Sequence, residues 1–157
     1  MNVYKGSCHC GRVSFEVQKT EPIEYLLECN CSVCSKKGLV HTPAEDDELV
    51  VLTGADDLTL YQFGTNTAKY WFCPGCGVEP FHRSRGNPHR YSVNARCLDD
   101  YFDIIKRTGI YFVEARIHPM DFGSDEFKSR ENPYWAPSDK LPAVVSDDSP
   151  SRIEHRD

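Results

Sequence analysis

Seven of the eight cysteines in this chain fall into three short clusters, and that grouping limits the possible folds more than any other feature. The clusters are Cys8-His9-Cys10, Cys29-Asn30-Cys31-Ser32-Val33-Cys34 and Cys73-Pro74-Gly75-Cys76; Cys97 stands alone. Eight cysteines are about 5% of the 157 residues, below the level of a disulfide scaffold. Residues Met1 to Ser7 hold no apolar signal core, and no apolar run approaches membrane-spanning length. The expectation is a soluble cytoplasmic protein, with the nucleus as the alternative. Thiols stay reduced there, so clustered cysteines point to metal.

The Cys73-Pro74-Gly75-Cys76-Gly77 segment has the form of a zinc knuckle. Pro74 and Gly75 favour the tight turn that aims two thiolates at one ion, and Gly77 lets backbone amides approach the sulfur. Two further ligands are needed, and Cys8 and Cys10 offer them between Gly6 and Gly11. Cys8, Cys10, Cys73 and Cys76 together would make a closed, structural four-thiolate site whose binding energy is folding energy. Cys29, Cys31 and Cys34 differ, because one short loop supplies three thiolates. Three ligands and one open position is the arrangement of a catalytic zinc. Two other readings stay open: a second closed site completed by Cys97, His9, His41 or His82, and a loop of reduced cysteines without metal. Lys36 and Lys37 follow the loop and could offset its negative charge. The expected cofactor is zinc, two ions per chain.

Strand-like runs dominate the rest. Residues 12–17, 49–52, 58–63, 68–72, 91–94 and 110–116 are rich in β-branched and aromatic residues, some with period two. No long segment has a convincing helical period. A short helix could open at Ser124-Asp125-Glu126-Phe127. The expected organisation is one mostly β domain over 1–142 and a disordered polar tail over 143–157. The net charge is −6 and the longest basic run is Lys36-Lys37, so neither nucleic acid nor membrane is an expected partner.

The ordered set Gly6-Ser7-Cys8-x-Cys10-Gly11, Cys29-x-Cys31-x-x-Cys34 and Cys73-x-x-Cys76-Gly77 resembles the glutathione-dependent formaldehyde-activating enzyme family, over about residues 4–100. Cys31-Ser32-Val33-Cys34-Ser35-Lys36-Lys37-Gly38, Tyr61-Gln62-Phe63-Gly64-Thr65 and Cys97-Leu98-Asp99-Asp100 look like its centromere protein V branch. The resemblance implies an Mss4-like fold of small antiparallel sheets with a zinc-ribbon element. It implies a structural zinc at Cys8, Cys10, Cys73 and Cys76 and a catalytic zinc at Cys29, Cys31 and Cys34. The implied activity is that of a carbon–sulfur lyase, condensing the small-molecule partners glutathione and formaldehyde to S-hydroxymethylglutathione. The alternative is a non-catalytic, zinc-stabilised protein-binding module like centromere protein V, although the N-terminal region which that protein adds is expected to be missing here. A zinc or thiol sensor without turnover is a third reading.

The remaining candidates have bland readings beside functional ones. Cys97 reads as a buried free thiol or a reserve ligand near the second zinc. His9 reads as a turn residue. His41 and His82 could serve as acids near the pocket. Asp99 and Asp100 could cap or turn the chain. Arg83, Arg85 and Arg90 could grip carboxylates or form a solvated basic loop. Trp71, Phe72 and Phe81 read as core, and Trp135 as a pin for the C-terminal segment.

Overall fold

The computed structural model describes residues 1–113 and the backbone of 152–153. The short helix expected at 124–127, Trp135 and all of the expected tail except Arg152 and Ile153 lie outside the described residues.

Strands β1 (Asn2–Ser7), β2 (Ser14–Lys19), β3 (Leu26–Cys29), β4 (Val40–Ala44) and β5 (Leu49–Thr53) fill the first third of the chain. Then come β6 (Thr59–Tyr61), β7 (Lys69–Phe72), β8 (Phe81–Arg83), β9 (Tyr91–Asn94), β10 (Ile110–Val113) and β11 (Arg152–Ile153). They form a three-stranded sheet, β1-β2-β5, and an eight-stranded sheet, β11-β10-β3-β4-β9-β8-β7-β6. The fold is mostly β, as expected. The larger sheet is mixed rather than purely antiparallel, because β10 runs parallel to β3.

The core forms where the two sheets face each other. Alternation turns Phe15 and Val17 of β2 inward, toward Val40, Phe81 and Val93 of the large sheet. The Phe15 and Phe81 rings meet edge to face, 5.9 Å between centroids, the packing that aromatic quadrupoles prefer. Close packing explains Gly6 in β1: a Cβ there would lie 2.6 Å from Phe15 Cζ and 2.8 Å from the Cys97 carbonyl oxygen.

Two helices depart from the sequence reading. Helix α1 (Ser32–Lys37) is a single loop-bound turn and a half, ended by Gly38 in the left-handed conformation. Helix α2 (Tyr101–Thr108) buries Tyr101, Ile104 and Thr108, spaced three and four apart along one face. Two turns are too short for a clear period, and Phe102, 73% exposed, blurs the pattern. Asp100 takes the N-cap position without a side-chain hydrogen bond to the helix. Strands β1, β3, β4 and β8 were also hidden. Pro43 breaks the β4 pattern, yet β3 pairs only with Val40 and His41, so the proline removes no ladder bond on that side.

Alternation also gives the large sheet a second face. Val40, Trp71, Phe81 and Val93 pack into or against the core. Their neighbours His41, Tyr70, His82 and Asn94 point the other way, and β3 ends on this face at Cys29.

Candidate metal centres and the polar face between them

The first cysteine group joins two tight turns distant in sequence. In the β1–β2 turn the Cys8 amide donates to the Val13 carbonyl (2.9 Å), and the Val13 amide donates to Cys8 Sγ (3.3 Å). The second turn has the same backbone frame: the Cys73 amide donates to the Val78 carbonyl (2.9 Å) and the Gly77 amide to the Cys73 carbonyl (2.7 Å), as the Gly11 amide does to the Cys8 carbonyl (3.1 Å). Gly77 sits at φ +74, and a Cβ there would meet nothing within 4 Å. Its role is therefore the left-handed turn itself rather than room beside the sulfur.

The four sulfurs of Cys8, Cys10, Cys73 and Cys76 all lie within 4.8 Å of one another. Cys10 Sγ is 3.6 Å from both Cys8 Sγ and Cys73 Sγ. Tetrahedral Zn–S bonds of about 2.3 Å require sulfur–sulfur edges of about 3.7 Å, so the cage has the size of a zinc tetrathiolate. Amide donors hold the charge as well. Hydrogen bonds from the backbone at Val78 and Cys10 pull the Cys76 thiol down to about 6. At Cys10 the Arg12 amide pulls the same way, but the neighbouring sulfurs of Cys73 and Cys8 outweigh it and push that thiol up to about 11. Four thiols that perturb one another in this way suit a soft divalent cation, which would hold all four as thiolates.

The second group sits at one end of the large sheet. β3 delivers Cys29, Cys31 opens α1 at its N-cap, and Cys34 lies within the helix. The Ser35 amide and hydroxyl both donate to the Cys31 carbonyl, at 3.0 and 2.8 Å, which fixes the turn. The three sulfurs lie within 4.8 Å of one another. They pack against Val33, Leu39 and Val113, so apolar side chains wall the site. Hydrogen bonding to Cys31 raises the Cys29 thiol to about 12, and Cys34 is raised well above the ordinary value by Cys29 and Cys31. Three clustered thiols, two of them buried, cannot ionise together without a cation, and a divalent cation would resolve that conflict.

Among the described residues, neither Cys97 nor a histidine joins either group. Cys97 lies by the first group rather than the second. Its Sγ approaches the Glu79 carbonyl at 3.9 Å, and burial, then the charges of Cys8 and Cys76, push its thiol up to about 12. His9 is exposed in its turn. Lys36 is exposed, and Lys37 is committed elsewhere: its ammonium pairs with Glu79 and lies 5.1 Å from the Tyr70 ring centroid. Arg83 pairs with Asp46 at 2.5 Å and stacks on Tyr91, while Arg90 reaches Glu45 at 4.0 Å, so these two arginines brace the β4–β5 loop. Phe81 is core, whereas Phe72 lines a cleft.

Between the two cysteine groups lies a polar cluster that sequence reasoning only half located. Glu79 is 4% exposed, and its second carboxylate oxygen stands 3.0 Å from His82 Nδ1. His82 stacks on Tyr70 (5.1 Å between centroids) and meets His41 edge-on (5.5 Å). His41 Nε2 is shielded from solvent and has no hydrogen-bond partner among the described residues. Leaving such an atom unsatisfied costs about 1–3 kcal/mol. Burial and the neighbouring His82 push the His41 pKa down to about 3, so its ring is neutral at physiological pH. Glu79 escaped notice because a lone glutamate between Val78 and Pro80 reads as surface; nothing in its neighbours announces burial. A cleft of about 610 Å³ opens beside Glu79, lined by Lys37, Leu39, Tyr61, Cys76, Glu79 and Arg96 among others; Leu39 links it to the second cysteine group, none of whose sulfurs lines it.

Comparison with known proteins agrees with this geometry. Residues 3–114 match the family model described as glutathione-dependent formaldehyde-activating enzyme. A Halomonas elongata protein, provisionally named a glutathione-dependent formaldehyde-activating enzyme, is 32% identical over 80 residues, 46% of this chain. The chain spans about half the length of that curated relative, 50% of which is aligned. A crystal structure of a Rhodobacter sphaeroides protein superposes with a TM-score of 0.57 at 45% identity, over 60% of this chain and 87% of that one.

Proposed function

Because the chain belongs to the glutathione-dependent formaldehyde-activating enzyme family, we propose that it is a zinc-dependent carbon–sulfur lyase that joins glutathione and formaldehyde to S-hydroxymethylglutathione. The observation that carries this reading is the second cysteine group: three thiols on one loop, within 4.8 Å of one another, with no fourth protein ligand among the described residues. On this reading Cys8, Cys10, Cys73 and Cys76 hold a structural zinc, and Cys29, Cys31 and Cys34 hold a catalytic one. The catalytic zinc, when bound, supplies an open position that keeps a substrate thiol ionised at neutral pH.

The chain's own residues do the remaining work. The wall of Val33, Leu39 and Val113 excludes water from the reacting sulfur. The neighbouring cleft is roomy enough for the peptide portion of glutathione. Arg96, which forms no salt bridge among the described residues, is available to a carboxylate at its rim. Aldehyde delivered against the bound thiolate would then react at high effective concentration. The thiol proton leaves to solvent, the S–C bond forms, the carbonyl π pair moves to oxygen, and that oxygen is protonated in turn.

Native mass spectrometry of the reduced protein tests this. Two zincs per chain and one bound glutathione, lost in Cys31→Ser, is the expected result. One zinc and no glutathione adduct would overturn the catalytic assignment and favour a zinc-stabilised binding module.

A further inference from the structure

We propose that His41 donates the hydrogen bond that receives the aldehyde oxygen as the carbon–sulfur bond forms, and that Glu79, through His82, holds it in place. The inference rests on the functional reading above. Four observations lead to it. His41 Nε2 is a polar atom shielded from solvent and without a protein partner among the described residues, while most such atoms are satisfied. Its position is right: His41 pairs with Leu27 across β4 and β3, and Cys29 stands two residues further along β3 on the same face.

The third observation is the backing. His82 meets the His41 ring edge-on, and the buried Glu79 carboxylate faces His82 Nδ1 at 3.0 Å, an ion-pair approach in which neither atom completes a well-directed hydrogen bond. Lys37 takes the other side of Glu79 and so anchors the line from the end of α1, the helix that carries Cys34. Fourth, the ring is neutral, which suits a donor that stays bonded to a developing oxyanion without surrendering its proton. The step needs no additional reagent. The sulfur's pair forms the S–C bond, the C=O π pair goes to oxygen under the His41 hydrogen bond, and water supplies the final proton in exchange for the one lost by the thiol. Glu79 and His82 are positioning residues.

The test compares His41→Phe and His41→Asn with the unaltered, zinc-loaded protein. Formaldehyde exchange with glutathione is followed by exchange NMR above the uncatalysed rate, alongside zinc content, glutathione affinity and the thermal midpoint. His41→Phe keeps the ring and removes the unsatisfied nitrogen. It should lose about 10²–10³-fold in rate, the cost of one missing oxyanion donor, with zinc and glutathione binding unchanged and an equal or higher melting temperature. His41→Asn restores an N–H donor and should recover part of the rate. Loss of zinc or a lower melting temperature in His41→Phe would mark a structural role and overturn the proposal. So would a His41→Phe rate within threefold of normal. An unaltered protein that never exceeds the uncatalysed rate would overturn the functional reading and this inference together, which the controls distinguish from failure at His41 alone.

Discussion

The two cysteine groups use the same donor atom and differ in what they join. Cys10 and Cys73 bring together turns 63 positions apart, and amide donors at Cys8, Val13, Cys73 and Gly77 shape both turns. Cys29, Cys31 and Cys34 span a single loop at the end of β3, held by its own short helix. A ligand set that closes a long stretch of chain removes conformational freedom from the unfolded state; one that closes five residues removes little. The first group is therefore placed to hold the fold, and the second contributes less to it, as the proposed division into a structural and a catalytic site requires. The polar face carrying His41, His82 and Glu79 adjoins the second group, while Cys97 adjoins the first without belonging to it.

Substitutions sharpen that contrast. The largest effect is expected from Cys73→Ser, which removes a fully buried sulfur from the long-range group. Structural zinc contributes on the order of 10 kcal/mol of folding free energy in small domains, so the cooperative thermal transition should vanish together with one zinc. A normal melting curve by circular dichroism would break the comparison outright. Cys31→Ser comes next and should act differently. Glutathione binding and activity fall at least about 10²-fold, the second zinc is lost, and the melting temperature drops by only a few degrees. Equal destabilisation by the two substitutions would show that both groups are structural.

Gly6→Ala probes the frame of the first group without touching a ligand. The added methyl would lie 2.8 Å from the Cys97 carbonyl and against Phe15, and overpacking of this kind costs about 1–3 kcal/mol in denaturant unfolding. The smallest effect belongs to Lys19→Ala, far from either group. Lys19 pairs with Glu48 at 2.6 Å. Burial alone would raise the Glu48 carboxyl, but hydrogen bonds from Lys19 and the Glu45 amide outweigh it and hold it below its ordinary 4.5. A depressed folded value means stability that is present above the unfolded value and lost as pH falls through the folded one. The variant should thus lose no more than about 1 kcal/mol at neutral pH and match the unaltered protein in strong acid.

Much of this was readable in the chain itself, for reasons particular residues make clear. Cysteine spacing is a local property, so the three short clusters could be read from sequence, and so could strand β9, bounded by polar turns; that Cys8 and Cys10 would meet Cys73 and Cys76 came from the need for four ligands and from the family resemblance. What stayed hidden depends on distant partners. Nothing near Glu79 says that Lys37 and His82 will enclose it. Nothing in Val40-His41-Thr42-Pro43-Ala44 says that a proline strand can be central, because the answer depends on where β3 stops. The edge-on meeting of His41 and His82 follows from β9 lying between their strands, which is topology rather than pattern. Helix α2 was lost to its brevity and to Phe102 on its exposed side.

The order of strands in the large sheet sets a timetable for synthesis. The turns that carry Cys8, Cys10, Cys73 and Cys76 can meet once residue 78 has emerged, so an ion bound by this group would be within reach of an unfinished chain. Strand β3 is flanked on one side by β10, and the Asn30 amide donates to the Val113 carbonyl. Val113 also packs against the second cysteine group. That loop therefore gains its full wall only after a parallel pairing across more than eighty positions, the kind of distant contact that folds slowly. During biosynthesis the three clustered thiols pass through an interval without their final shield, when a metal chaperone or an oxidant could reach them most easily.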